Sequence, residues 1–242
     1  MSHNNLGTRI ILDKLFTELP HVHFLIVETT GLYSRKSLLS SIFKLLREAS
    51  FKFCLRRFLD LIAFQLSNSG LRSYVSNFGH RFHRSGDVNS QSDLAMVKAF
   101  EPDILIMLFT MQIAGKELLK ISKLGSIGCH PSNLTSYRGL ETFFWQLCNN
   151  ETLGCVSIFS LEEKIDLGRI IEQQHYAIDT KDSLTSHYLK LSHVSADCLV
   201  KVLQKILNLG VLPLGIQVKP GKYYPMPTRS AYRKFSENKR LW

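Results

Sequence analysis

His130 and Asp166 are the residues of this chain whose types and spacing best suit chemistry. His130 follows the apolar run at 125–129 and precedes Pro131, which biases it toward an extended backbone and a fixed presentation of its ring. An imidazole exchanges a proton near neutral pH. A carboxylate beside it orients the ring and stabilises its cation. Asp166 lies 36 residues further on (166 − 130), in KIDLGRII, where Gly168 suits a loop that turns a carboxylate inward. Such a pair fits acyl or one-carbon transfer to an amine: it would deprotonate the attacking amine and help the tetrahedral intermediate collapse. A neutral donor for the developing oxyanion is missing, because Gly128 stands where one is expected. By spacing alone, a loop-capping histidine and an unrelated surface aspartate fit equally well.

The elements that must position this pair are legible as an alternation. Apolar runs at 23–28, 103–108, 125–129 and 154–160 read as strands, and 169–175 can pair as one more. Helical patterns cover 10–19, 94–100, 115–121, 140–149 and 183–208. Alternating strands and helices imply an α/β fold, a Rossmann-like and mostly parallel sheet with helices on both faces. Ligands then lie beyond the carboxyl ends of the strands, and His130 sits immediately after such an end. The stretch 68–87 is rich in glycine, serine and arginine and reads as loop with a short helix. At the front, only five residues precede Leu6, so a full opening strand is absent and no glycine-rich dinucleotide fingerprint occurs. The sheet is expected to lack its first strand.

The chain has 242 residues, with 30 Lys and Arg against 20 Asp and Glu, a formal net charge of +10. That balance favours anionic partners without choosing among nucleotides, phosphates, nucleic acid and acidic lipid. The five cysteines, at 54, 129, 148, 155 and 198, form no CxxC pair, which argues against a disulfide framework or structural zinc. Two histidine pairs, His21 with His23 and His80 with His83, lack ligand-like companions, so no metal site is expected. There is no uninterrupted apolar stretch of membrane-spanning length and no signal-peptide pattern at the start, and the expected location is the cytoplasm. The basic amphipathic stretch 36–67 suits packing against the sheet, an intersubunit seam in a homodimer, or contact with an anionic membrane surface.

The residues around His130 resemble the folate-dependent formyltransferases, which include methionyl-tRNA, glycinamide ribonucleotide and amino-sugar nucleotide enzymes. That family's core reads approximately Asn-x-His-Pro-Ser-Leu-Leu-Pro-x-Tyr-Arg-Gly, then a helix, then Leu-Asp-x-Gly-x-Ile. Here it reads GCHPSNLTSYRG at 128–139 and IDLGRI at 165–170. The likeness is good over 88–180 and loose over 7–30. It implies 10-formyltetrahydrofolate as donor, with His130 and Asp166 catalytic. It places the folate against Phe109, Thr110, Met111, Gln112, Ile113 and Ala114 on one side. On the other it places the folate against Leu161, Glu162, Glu163, Lys164 and Ile165, largely through backbone groups. It also implies that Gly128 replaces the family's catalytic asparagine, while Thr135 replaces a proline and Asn133 an apolar residue.

On the acceptor side, the resemblance points to Ser132, Tyr137 and Arg138, with Gly7 and Arg9 as a second phosphate candidate. A guanidinium at Arg138 matches phosphate geometry, and a structural ion pair there serves equally well. The Tyr-Arg-Gly form is most like the amino-sugar nucleotide and transfer-RNA branches. Only 62 residues follow Thr180 (242 − 180), so transfer RNA is not expected as a partner. The expected acceptor is a small molecule, the amine of a nucleotide-linked amino sugar. The alternatives are a formyl-folate hydrolase and a non-catalytic binding protein. The expected organisation is a formyltransferase-like catalytic domain over 1–208, with a helical insertion near 37–67 and an irregular tail over 209–242.

Overall fold

Apolar strands with amphipathic helices between them can bury their faces only by layering, and this chain does so around one sheet. A computed structural model of the chain describes residues 1–29, 50–67, 70–110, 112–162, 168–238 and 242. Among the described residues the order is α1 (Leu6–Glu18), β1 (Leu25–Thr29), α2 (Phe51–Ser67), α3 (Leu71–Asn77), β2 (Arg81–Ser85), α4 (Gln91–Phe100), β3 (Ile104–Leu108) and α5 (Lys116–Leu119). There follow β4 (Gly125–His130), β5 (Tyr137–Gly139), α6 (Thr142–Cys148), β6 (Leu153–Ser160), β7 (Ile170–Ala177), α7 (Leu184–Leu209), β8 (Lys222–Tyr224) and α8 (Arg229–Glu237).

The strand expected to be missing is present as a stub. Ser2 bridges Glu28 of β1 and Leu108 of β3, both in parallel. Its amide donates to the Val27 carbonyl at 3.0 Å, and Thr29 and Leu108 donate to the carbonyls of Ser2 and Met1, each at 2.9 Å. The Met1 amine donates to the Ile106 carbonyl at 2.7 Å, and burial lowers its pKa to about 5. A stub of this length carries no apolar run, which is why the pattern did not reveal it. The order across the sheet is therefore β2–β1–Met1/Ser2–β3–β4–β6–β7. The chain leaves the stub for β1 on one side and reaches β3 on the other, so the topological switch point lies at residues 1–5.

The sheet is mostly parallel, as expected: it is parallel from β2 through the stub to β4 and antiparallel only at β4–β6 and β6–β7. Ile11, Leu12 and Leu15 of α1, with Leu199, Val202 and Leu203 of α7, cover one face over Ile26, Leu108, Ile127 and Val156. Leu94 and Val97 of α4 and Leu118 of α5 cover the other over Leu105. Helix α7 starts at a Ser183–Ser186 capping box and stops at Gly210, whose φ of 68° is the left-handed conformation a side chain resists.

Three expectations are corrected. The basic run RFHRS is the edge strand β2; a strand with one neighbour keeps its charges in water, which hides it from an apolar search. The tail is not irregular: β8 pairs with β5, and α8 buries Ala231 and Phe235. Helix α2 packs through Phe53 on Phe144 at 5.1 Å and on Trp242 at 5.6 Å, so α6 and the last residue take part in a packing expected to involve the sheet alone, and residues 36–49 of that basic stretch lie outside the described residues. No helix among the described residues is long and apolar enough to cross a membrane.

Candidate active site

His130 ends β4 and is 7% exposed. Its Nε2 lies 2.9 Å from the Tyr137 carbonyl, which also accepts from the Ser132 hydroxyl at 2.7 Å. A carbonyl oxygen only accepts, so Nε2 carries the proton and Nδ1 is the basic nitrogen of the neutral ring. The loop that fixes this geometry is tied inward. Ser157 donates to the Ser132 carbonyl at 2.7 Å, and Thr142 and Gln146 of α6 both donate to the Pro131 carbonyl at 3.3 Å. Ser132 is fully buried and Tyr137 donates to Glu151 at 2.5 Å while stacking on Tyr224 at 4.8 Å. Both therefore build the loop from within. Burial, reinforced by Glu151, pushes the Tyr137 phenol well above its ordinary range.

Arg138 stands in register with Tyr223 of β8. Beside it, Gly139 has φ +101°, and a Cβ there would meet the Tyr224 carbonyl at 2.2 Å, so only glycine lets β8 close on this loop. Gly7 and Arg9 are absorbed into packing. A Cβ on Gly7 would lie 2.5 Å from the Tyr188 hydroxyl, so Gly7 allows α1 to meet α7. Arg9 lies 4.3 Å over the Tyr74 ring and donates to Asn4 at 3.3 Å.

The parallel register of β3 with β4 ends at Leu108↔Cys129, one residue before Phe109 and His130. Phe109 has φ 43°, a strained conformation for a bulky residue and one that collects at ligand loops. Thr110 contacts the Thr29 hydroxyl at 3.2 Å and takes the Gln112 amide at 3.1 Å. Gln112 is turned inward, accepting from the Val88 amide at 2.9 Å and donating to the Gly86 carbonyl at 3.0 Å. Asn89 clamps the next residues, donating to the Ile113 carbonyl at 2.9 Å and accepting from the Gly115 amide at 2.6 Å. Ala114 is partly buried against α4 and α5, whereas Ile113 is exposed. Met111 lies outside the described residues.

Beyond β6, Leu161 donates its amide to the Ser126 carbonyl at 2.8 Å, and Glu162 is exposed. Glu163, Lys164, Ile165 and Asp166 lie outside the described residues. The described residues on either side form a closed base, where the Ser160 amide donates to the Arg169 carbonyl and the Arg169 amide donates to the Ser160 hydroxyl, each at 2.9 Å. That base lies against β4. Gly128 is the cross-strand partner of Phe159, and a Cβ on Gly128 would meet Phe159 Cε1 at 2.6 Å and Leu161 Cδ2 at 3.0 Å. The space beside Gly128 is thus filled by an aromatic ring.

Sequence reasoning missed the groups gathered at the switch point. His3 Nδ1 lies 2.6 Å from the Thr29 carbonyl, and burial holds the ring below its usual pKa despite that carbonyl and Glu28. Tyr188 donates to Asn5 at 3.0 Å; burial pushes its phenol up to about 12. The Tyr188 ring touches Phe143 at 5.1 Å and Phe109 at 6.3 Å. Glu141, the residue before α6, has φ 50° and caps nothing with its side chain. Only the closeness of Asn4 and Asn5 to the sheet's switch point could have signalled this group, and finding it required the stub.

A protein-family model described as formyl transferase matches residues 72–203. The bifunctional polymyxin resistance protein ArnA of Wigglesworthia glossinidia brevipalpis is 35% identical over 122 residues, which are 50% of this chain and 19% of that protein. The methionyl-tRNA formyltransferase of Chlorobium chlorochromatii (strain CaD3) is 31% identical over 124 residues, 51% of this chain and 39% of that protein. The chain therefore spans well under half the length of these curated relatives. The N-formyltransferase from Helicobacter canadensis, solved with folinic acid and dTDP-3-aminofucose, superposes with a TM-score of 0.59. It is 16% identical, over 95% of this chain and 70% of that one, and so shares the fold.

Proposed function

The chain belongs to the formyl transferase family, and from that premise we propose that it moves a formyl group from 10-formyltetrahydrofolate to the amine of a nucleotide-linked amino sugar. The observation that carries the reading is the locked His130: Nε2 is spent on the Tyr137 carbonyl, so Nδ1 is the ring atom for proton traffic. The acceptor nitrogen attacks the formyl carbon, and its proton passes to His130. The bond from that carbon to N10 of the folate then breaks. N10 takes a proton, leaving a formamide and tetrahydrofolate. Asp166, which the resemblance makes the partner of His130, would steady the imidazolium.

The residues present suit the folate. Reading a pterin through backbone groups demands a loop of one shape, and Asn89 and Gln112 hold residues 112–115 in one shape. The acceptor class rests on the superposition with the sugar enzyme and on the Tyr-Arg-Gly turn sealed by β8.

Gly128 replaces the family's asparagine, and Phe159 fills the space its side chain would take. Loss of one such donor typically slows the chemical step about 100- to 1000-fold, so turnover is expected to be slow. The test is tetrahydrofolate release from 10-formyltetrahydrofolate with a panel of amino-sugar nucleotides and with no amine. Release dependent on an amine is expected. Formate release at the same rate without amine would instead make the chain a hydrolase.

A further inference from the structure

Helix α2 turns an apolar stripe to the solvent. Its inner side meets the protein through Phe53, on Phe144 and Trp242, and through polar ties. Arg57 lies 3.7 Å from Glu141 and 3.6 Å from Asp60, and the Trp242 indole donates to Asp60 at 3.1 Å. The opposite side carries Phe51, Leu55, Phe58, Leu59, Ile62 and Leu66, from 37% exposed at Ile62 to 83% at Leu66. At 3.6 residues per turn these positions form one stripe, about 100° wide and about 22 Å long. A helix of a folded chain ordinarily lays such a stripe on the core. A contiguous apolar surface left in water marks an interaction site.

The charges beside the stripe select the partner. Lys52 and Arg56 are exposed and follow Leu59 around the helix, on one flank of the stripe. The one acid of α2, Asp60, lies on the packed side and is engaged by Arg57 and Trp242. The sequence just upstream, 35–50, adds Arg35, Lys36, Lys44 and Arg47 against Glu48 alone. A second copy of α2 therefore brings no exposed carboxylate to meet these cations. A single helix ridge is also convex, so a protein partner needs a groove cut to fit it. An anionic lipid surface needs none: the stripe sinks to the acyl boundary while the cations stay among the headgroups.

We propose that α2 is an in-plane docking helix for anionic phospholipid membranes, with the stripe over 51–66 immersed and Lys52 and Arg56 on the headgroups. This assignment does not depend on the formyl-transfer chemistry.

The experiment is co-sedimentation of the full chain with vesicles of phosphatidylcholine alone and of phosphatidylcholine with phosphatidylglycerol, beside light scattering of the protein without lipid. Wild type is expected to sediment with the anionic vesicles only, and less as salt rises. Phe58→Glu with Leu59→Glu should abolish binding and leave the melting temperature unchanged, since both side chains are exposed. Lys52→Ser with Arg56→Ser tests the charges separately and should weaken partition about fivefold per cation. Wild type that ignores anionic vesicles, or sediments equally with both compositions, overturns the proposal. So does a double-glutamate variant that still binds. If wild type scatters as a dimer that the same glutamates break, the stripe belongs to a second copy and the membrane assignment falls.

Discussion

At the scale of the residue, one hydrogen bond decides how His130 would act in the proposed transfer. With the Tyr137 carbonyl fixed at 2.9 Å, the ring cannot swap tautomers without losing a buried bond, so its basic nitrogen stays on one side. His130→Ala should lower formyl transfer by about 100-fold or more, the usual weight of a positioned acid–base. Folate affinity should hold, as read by fluorescence titration. Gly128 gives the opposite kind of prediction. Gly128→Asn alone drives Cβ to 2.6 Å from Phe159 and should destabilise the fold by about 1–3 kcal/mol without a gain in rate. Paired with Phe159→Ala, which clears the ring, the same asparagine should raise turnover; a double variant no faster than wild type would show that no donor is wanted there. The motif was legible in sequence because His130, Pro131 and the Tyr-Arg-Gly turn are contiguous. Phe159, Tyr188 and Asn5 were not, because each is brought into place by register or helix packing.

At the scale of the element, the stub shows what pattern reading cannot reach. Two residues suffice for a strand when both neighbours supply the partners, and such a strand has no periodicity to detect. Strand β3 was legible because its apolar run, ILIML, is continuous, and β4 because it is buried up to the His-Pro motif that marks its end. Edge strand β2 and the short β5 and β8 were not, being held by one neighbour each. The stub also carries a pH signature. Burial depresses both the Met1 amine, from 8.0 to about 5, and the His3 ring. Both groups bind fewer protons folded than unfolded, so their contribution is complete above about pH 8 and is lost as pH falls toward 5. The amine alone gives a slope of up to about 1.4 kcal/mol per pH unit. Urea unfolding at pH 8, 6.5 and 5 should show stability dropping across that window, and a flat profile would contradict the buried amine.

At the scale of the whole molecule, the tail finishes the site. Strand β8 lies against Tyr137, Arg138 and Gly139, and Trp145 donates to the Pro225 carbonyl at 2.8 Å. Phe235 packs on Phe144 at 5.1 Å, beneath the helix that Glu141 begins. Phe235→Ala should therefore cost about 3–5 kcal/mol and lower the melting temperature. Acceptor affinity should weaken more than folate affinity, since the folate-side loops rest on Asn89 and Gln112 instead. The central claim concerns what the assembled site does. Its most direct measurement is mass spectrometry of the products after the chain meets formyl-labelled 10-formyltetrahydrofolate and a nucleotide-linked amino sugar. The expected result is labelled formamide and tetrahydrofolate in equal amounts, cut about 100-fold or more in His130→Ala. Labelled formate with no formamide, or equal yields from the two proteins, would contradict it.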